Sequence, residues 1–318
     1  SETVCLKFYP HDSEIRKLTK RVGTNDDSRK EIFHLIGKSH ILCSNCWIKV
    51  DNDLIEFNDN SDVNLVIDVD FIDQPLKLLE VYKPGLTDKN ILCTTNVCHP
   101  CQVNDSLTGL VVGAEFTKQL MSSKKDQYGY YFLIVPETIG SICWFSENEE
   151  KANTIDYAWF FEMLGHNNRF ILQKSRQGNS IIDKAFEVVL KSNNKHGNHE
   201  TGKFREIVAS DEMVSNGPGF DIPTPSLTRW PYPEYHTSDD NPNIIKEENL
   251  NESLIVTNEL WKALNNNIFV KRLFKGPVML SRYGLWVDWR EDRQLNLKTE
   301  AIMMLLEGDK SIIDIAFE

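Results

Sequence analysis

Beyond residue 90 the chain alternates between two hydrophobic rhythms. The short apolar runs ILCTTNV (91–97), YYFLIVP (130–136), DYAWFFEML (156–164), FREIVAS (204–210) and PSLTR (225–229) predict strands. Between them, LTGLVVGAEFTKQLMSS (107–123), GNSIIDKAFEVVLKSN (178–193) and ESLIVTNELWKALNN (252–266) repeat apolar residues at the three- and four-residue spacing of amphipathic helices. That alternation predicts an α/β fold, a three-layer and mostly parallel sheet. Residues 1–90 read as β-rich instead, with HILCSNCWIKV, LIEF, VNLVIDVDFI and LKLLEVY parted by Asp, Asn, Gly and Pro. One short helix is expected there, over DSRKEIFHLIG (27–37), closed by Gly37. KSNNKHGNHE (191–200) and DDNPNIIKEENLNE (239–252) lack apolar periodicity and predict surface loops. The expected division is a β-rich accessory domain over 1–90, an α/β domain over 91–265 and a small C-terminal unit over 266–318.

Composition narrows the partners. At 41% hydrophobic and 26% charged the chain is ordinary globular material, but its net charge of −12 repels phosphate backbones. From residue 266 onward eight Lys and Arg face eight Asp and Glu, so that unit lacks the basic face of a DNA reader. Nucleic acid is therefore not an expected partner. No apolar run approaches the ~18 residues that span a bilayer, and SETVCLKFYPHDSEIRK has no apolar core for a signal peptide. A soluble cytoplasmic protein without a membrane partner is expected, its oligomeric state open.

Seven cysteines are too few for a disulfide scaffold, and the odd count leaves at least one unpaired within the chain. Cys43 with Cys46 and Cys98 with Cys101 have the spacing of a structural zinc site. The context disfavours it, because Cys98 abuts His99, whose side chain is wanted elsewhere. A redox motif fares worse, lacking the expected helix after its first cysteine.

What is wanted of His99 is chemistry. His99, Asp105, Glu137 and His236 each stand where a short apolar segment runs out, and side chains at the carboxyl ends of neighbouring strands in an open α/β sheet converge on one crevice. A catalytic zinc uses about three His or carboxylate ligands and keeps a position for water. His99, Asp105 and His236 supply three. A carboxylate outside the ligand set takes the proton from that water and returns it to the leaving amine, and Glu137 is the candidate. Each residue also has a plainer role open to it. Asp105 could be a helix N-cap, Glu137 a loop carboxylate, and Asp211 and Glu212 solvated turn acids. Either histidine alone could be a hydrogen-bonded packing residue. Arg229 and Tyr235, flanking the last histidine in LTRWPYPEYHTS, are read either as a carboxylate clamp and an oxyanion donor or as packing residues.

The ordered set NVCHPCQVNDSLTG, VPETIGS, SDE (210–212), GPGFDIP (217–223) and YPEYHTSDD resembles the aminopeptidase-like branch of the zinc-dependent exopeptidases, over roughly residues 40–318. That branch typically carries an inserted β domain and a C-terminal winged helix. The resemblance implies His99, Asp105 and His236 as zinc ligands and Glu137 as general base. Two-zinc relatives have a second Glu directly after the base, where this chain has Thr138. They usually have an Asp after the Gly of LGHNNRF, where this chain has His166, a candidate for a second ion or for the pocket lining. One firmly bound zinc is favoured over two. Asp211 and Glu212 are expected to support the ligands or hold a substrate amine, as is Glu234, whereas Arg229 argues for a substrate carboxylate. The tail NLKTEAIMMLLEGDKSIIDIAFE resembles the opening of the winged helix, with GDKS (308–311) as the turn between helices, and stops short of its last strands.

The expectation is thus an enzyme acting on a peptide or small amide, hydrolysing an amide bond near a free terminus. Acyl transfer in a biosynthetic pathway and a non-catalytic, metal-containing binding protein are the alternatives. Thr138 and His166 motivate the second of these, and Glu137 speaks against it.

Overall fold

In the computed structural model the described residues are 2–8, 48–50, 63–68, 76–97, 99, 102–123, 126–192, 199–235 and 239–318, the first three segments as backbone. The fold is organised by a strand without a wet face. All seven residues of β5 (Asn90–Asn96) are buried, the signature of a parallel strand covered on both sides. Successive residues feed opposite cores. Ile91 and Cys93 join Tyr130, Phe132, Trp159 and Phe161 in one core, while Leu92 joins Tyr131, Leu133, Val135 and Ala158 in the other. The flanking strands are β6 (Gly129–Val135) and β7 (Ile155–Phe161).

Helices α1 (Thr108–Met121), α3 (Ile181–Ser192) and α4 (Glu247–Asn265) close the first core with Val112, Phe116, Ile182, Phe186, Leu260 and Trp261. Trp144 and Phe145 of α2 (Ile139–Glu147) close the second. Helix on each face of a sheet makes the three layers that the sequence pattern predicts.

Adding β4 (Leu79–Lys83), β8 (Ile171–Gln173), β9 (Glu200–Gly202) and β10 (Ser226–Thr228) gives a seven-stranded sheet of order β4-β6-β5-β7-β10-β8-β9. Its pairs are parallel except β4 with β6 and β10 with β8. The central sheet therefore starts before residue 90, since β4 lies in the stretch read as the β-rich domain. A separate three-stranded sheet pairs β1 (Glu2–Phe8) antiparallel with β2 (Ile48–Val50) and parallel with β3 (Val63–Asp68). The expected helix at 27–37 and all four CxxC cysteines lie outside the described residues.

Three local expectations give way to tertiary contacts. FREIVAS forms no strand, because the Ile207 and Val208 amides both donate to the side-chain oxygen of Gln173 instead of a strand neighbour (3.0 Å each). Helix α4 begins at Glu247, inside the polar stretch that predicts a loop, with Glu247 and Glu248 suited to the positive end of its dipole. GDKS is no turn between helices. It lies in β12 (Glu307–Ser311), which pairs antiparallel with β11 (Phe269–Lys271) between α5 (Arg293–Leu305) and α6 (Ile312–Phe317). No described helix is long and apolar enough to cross a membrane.

Candidate functional site

Strands β6, β5, β7 and β10 lie side by side and run parallel, so their carboxyl ends open on the same edge of the sheet. His99, Asp105, Glu137, Glu162 and Tyr235 line one cleft there, of about 240 Å³. Pockets for drug-sized ligands run from about 300 Å³ upward, so this one is sized for a smaller molecule.

Glu137 stands two residues past β6. Its Oε1 accepts a hydrogen bond from Ser210 Oγ at 2.7 Å, and its Oε2 lies 3.5 Å from His99 Nε2. The next residue, Thr138, adopts a left-handed φ of 59°, and its amide donates to Asp211 Oδ1 at 2.9 Å. Asp211 also accepts from the Ser141 hydroxyl, so this buried carboxylate holds the turn that follows Glu137. Burial, with Glu137 nearby, pushes Asp211 up to about 7.

Asp105 is presented by a tight turn (Val103–Leu107), and the peptide bond after it is cis. It does not cap α1, whose first turn has no side-chain cap. Instead the turn is stitched to two distant segments. The amides of Val103, Asn104 and Asp105 converge on the Asp240 carboxylate at 3.0, 2.6 and 3.2 Å, and Tyr232 donates its hydroxyl to the same group at 2.9 Å. Leu164 N donates to Thr108 Oγ1 and Gly165 N to Asn104 Oδ1, tying the turn to the end of β7. Gly109 permits this approach, since a Cβ there would sit 2.3 Å from the Phe161 carbonyl oxygen.

Glu162, directly after β7, is a site residue that the sequence reading passed over. It is 4% exposed, and its Oε1 has no hydrogen-bond partner. Burial first, then the negative charges of Glu212, Asp105, Glu137 and Asp211, push its pKa well above the carboxylate range. Such a group either keeps a proton or faces a cation. The signal was a lone carboxylate inside the apolar run DYAWFFEML, not at its end, so the criterion that singles out Glu137 does not reach it.

The other candidates divide. Tyr235 lines the cleft against Trp230, with ring centroids 4.5 Å apart, and burial drives its hydroxyl pKa upward. Glu212 is fully buried behind the wall, accepting from Ser210 N at 2.9 Å and Gln173 Nε2 at 3.3 Å. His166 is not among the cleft-lining residues. It stacks on Tyr232 with Nε2 3.7 Å from Glu234, and burial lowers its pKa. Arg229 is 3% exposed and serves the fold: it bonds the carbonyls of Leu164, Asn168 and Asn249, pairs with Glu252 at 2.5 Å and covers the Phe170 ring. His236, with Thr237 and Ser238, lies outside the described residues. Among the described residues no three His, Cys, Asp or Glu side chains group closely enough to hold an ion. The donor chemistry nevertheless fits one, with an imidazole, a buried aspartate and a glutamate oxygen lacking a partner on the same cleft.

The chain is similar to several known proteins. A family profile described as Domain of unknown function (DUF4910) matches residues 60–267. A Clostridium acetobutylicum protein, named for polysaccharide biosynthesis and an aminopeptidase-like domain, is 30% identical over 267 residues, covering 81% of this chain and 60% of its own length. A solved structure from the same organism, titled as a peptidase, superposes with a TM-score of 0.66 at 30% identity, covering 76% of this chain and 54% of that one. The chain thus spans little more than half the length of these relatives. An aminopeptidase from Aneurinibacillus sp. strain AM-1 shares the fold at 18% identity and a TM-score of 0.50, over 59% of this chain and 47% of its own.

Proposed function

The chain belongs to the DUF4910 family, and from that membership and the chemistry of its cleft we propose that it is a zinc-dependent, aminopeptidase-like exopeptidase that hydrolyses an amide bond near a free terminus. Its substrate is a short peptide or an aminoacyl or acyl-amino-acid conjugate. One observation carries the reading. Asp105, Glu137 and Glu162 line a cleft backed by Asp211 and Glu212, with an oxygen of Glu162 lacking a partner. A divalent cation offsets that crowding of negative charge, which otherwise forces protonation.

The described residues that would hold it are His99, Asp105 and Glu162, joined by His236 on the strength of the sequence motif. Bound there, zinc supplies an acidic water and polarises the substrate carbonyl. One ion is the reading, because Thr138 is a poor ligand and His166 faces Glu234. Glu137 accepts the proton of the attacking water and returns it to the leaving amine. The Ser210 hydroxyl donates to Oε1 and so orients the carboxylate. Burial keeps the Tyr235 phenol protonated, so it can donate to a developing oxyanion. Asp211 and Glu212 hold the wall and the base, and Arg229 has no role in substrate binding.

Residues 266–318 are read as an accessory unit of the winged-helix kind with an architectural role. The negative net charge makes nucleic acid an unsuitable ligand, and a reducing cytoplasm suits the free thiols of Cys93 and Cys143.

Metal analysis of the purified protein, with hydrolysis of a panel of dipeptides, aminoacyl amides and N-acyl amino acids, tests the proposal. Glu137→Gln should lower kcat by about 10²- to 10⁴-fold with metal retained, whereas Glu162→Gln should lose metal. Undiminished hydrolysis by Glu137→Ala in the presence of a chelator refutes it. Full zinc occupancy with tight binding and no turnover favours the binding-protein reading that Thr138 motivates.

A further inference from the structure

Besides His99, the described residues lining the acidic cleft include one basic side chain, Arg205, and no side-chain carboxylate among the described residues forms an ion pair with it. Its Nη1 donates to the sulfur of Met213 at 3.8 Å, and its charge is felt by the buried Glu212. Glu206, the nearest acid along the chain, is engaged elsewhere. Its carboxylate accepts from Lys203 N at 3.0 Å and lies 3.8 Å from Lys203 Nζ.

The segment bearing Arg205 is braced, which matters for a recognition residue. Glu206 N closes the turn onto Lys203 O at 3.1 Å, and the next two amides are bolted to Gln173 at the end of β8. Within this frame Arg205 has a φ of 61°, a left-handed conformation uncommon for a residue with a side chain. Strain of this kind persists only where the surroundings enforce it, and it gathers at ligand-binding positions.

We propose that Arg205 recognises an anionic group on the leaving side of the substrate, so that the preferred substrate is a short amide whose leaving amine carries a carboxylate, such as a dipeptide or an N-acyl amino acid. This rests on the cleft being the substrate site of the hydrolase proposed above. The chemistry follows from placement. Negative side chains and the metal locus occupy the interior, where an anion is repelled. The exposed guanidinium at the rim offers two parallel N–H donors, the arrangement that grips a carboxylate at both oxygens. A phosphonate presents the same chemistry with a different shape and charge.

The test uses the full chain with metal bound and three matched ligands: a dipeptide, its C-terminal amide and its aminoalkylphosphonate counterpart. For the unsubstituted protein kcat/KM should favour the dipeptide over its amide by about tenfold or more, mostly through KM. Arg205→Gln should bring that ratio near one. Arg205→Lys should leave an intermediate ratio, keeping charge but losing the fork, and Arg205→Glu should invert it. Preference for the phosphonate over the dipeptide identifies a phosphate-like group as the natural anion and overturns the carboxylate assignment. Equal turnover of dipeptide and amide, unmoved by Arg205→Gln, overturns the role of Arg205 while leaving the hydrolase reading intact. If no ligand is turned over, the hydrolase reading falls, and titration calorimetry on Glu137→Gln with the same ligands decides the matter of Arg205. Tighter binding of the acid than the amide, lost in the double variant with Arg205→Gln, sustains it; equal affinities or no binding overturn it.

Discussion

Removing the Asp240 carboxylate should cost the protein both stability and metal. The group is fully buried and takes three consecutive amides of the Asp105 turn together with the Tyr232 hydroxyl. Hydrogen bonds to a charged acceptor contribute about 1.5–3 kcal/mol each, and a buried donor left without a partner costs about 1–3 kcal/mol. Four bonds to one group do not add independently, and burial, which raises the Asp240 pKa, takes back part of the gain. Asp240→Ala should therefore lose about 3–5 kcal/mol, and Asp240→Asn, which keeps one acceptor oxygen, about 1–3 kcal/mol. At roughly 2–4 °C per kcal/mol for a domain of this size, Tm for the alanine variant should fall by on the order of 10 °C. The bonds also fix the backbone under Asp105, so zinc affinity should weaken about 10- to 100-fold, as when the support of a ligand is lost. Calorimetric unfolding and a competitive zinc titration read the two effects separately. A Tm within about 2 °C of the parent, with unchanged zinc affinity, refutes the claim that Asp240 holds the turn in shape.

Three further outcomes follow from the same geometry. Asp211 has a folded pKa of about 7 against 3.8 for the free group, so the native state binds the extra proton and stability declines as pH rises through that window. In the metal-free protein Asp211→Asn removes this penalty. Its stability relative to the parent should climb by up to about 4 kcal/mol between pH 4 and pH 8 in urea titrations, and a flat difference contradicts the assignment. Gly109→Ala forces a methyl against the Phe161 carbonyl and should cost about 1–3 kcal/mol, seen as a lower denaturation midpoint with an unchanged slope. Arg229→Met leaves Glu252 and three carbonyls without their cation and should destabilise by about 2–4 kcal/mol, while KM for carboxylate-bearing substrates moves less than twofold.

The layered core was legible in the sequence because burial on both faces writes itself as unbroken apolar runs, as in ILCTTNV and YYFLIVP, and because α1 and α3 carry their partners at helical spacing. The cleft was legible as far as chemistry sits where those runs end, which brought out His99, Asp105 and Glu137. Glu162 was missed because FFEML reads as one hydrophobic stretch, although burial and the surrounding carboxylates push its pKa well up. Arg229 was left open between a carboxylate clamp and packing for the opposite reason. An arginine next to a motif looks available, and only the tertiary structure reveals that Glu252 and three carbonyls already occupy it. FREIVAS has the alternation of a strand, but the side chain of Gln173, 34 and 35 residues away, claims the amides a strand would need. No periodicity within a short window encodes such a bond.

The bonds from residues 103–105 to Asp240 span 135 to 137 positions of chain. During synthesis, β5 and the ligand turn leave the ribosome long before the carboxylate that shapes the turn exists. The first half of the sheet can assemble early, but the cleft is completed only when residue 240 has emerged and folded back. A nascent chain or fragment ending before that point should be layered but lack the shaped turn, so the proposed hydrolytic centre is complete only once most of the domain has been made.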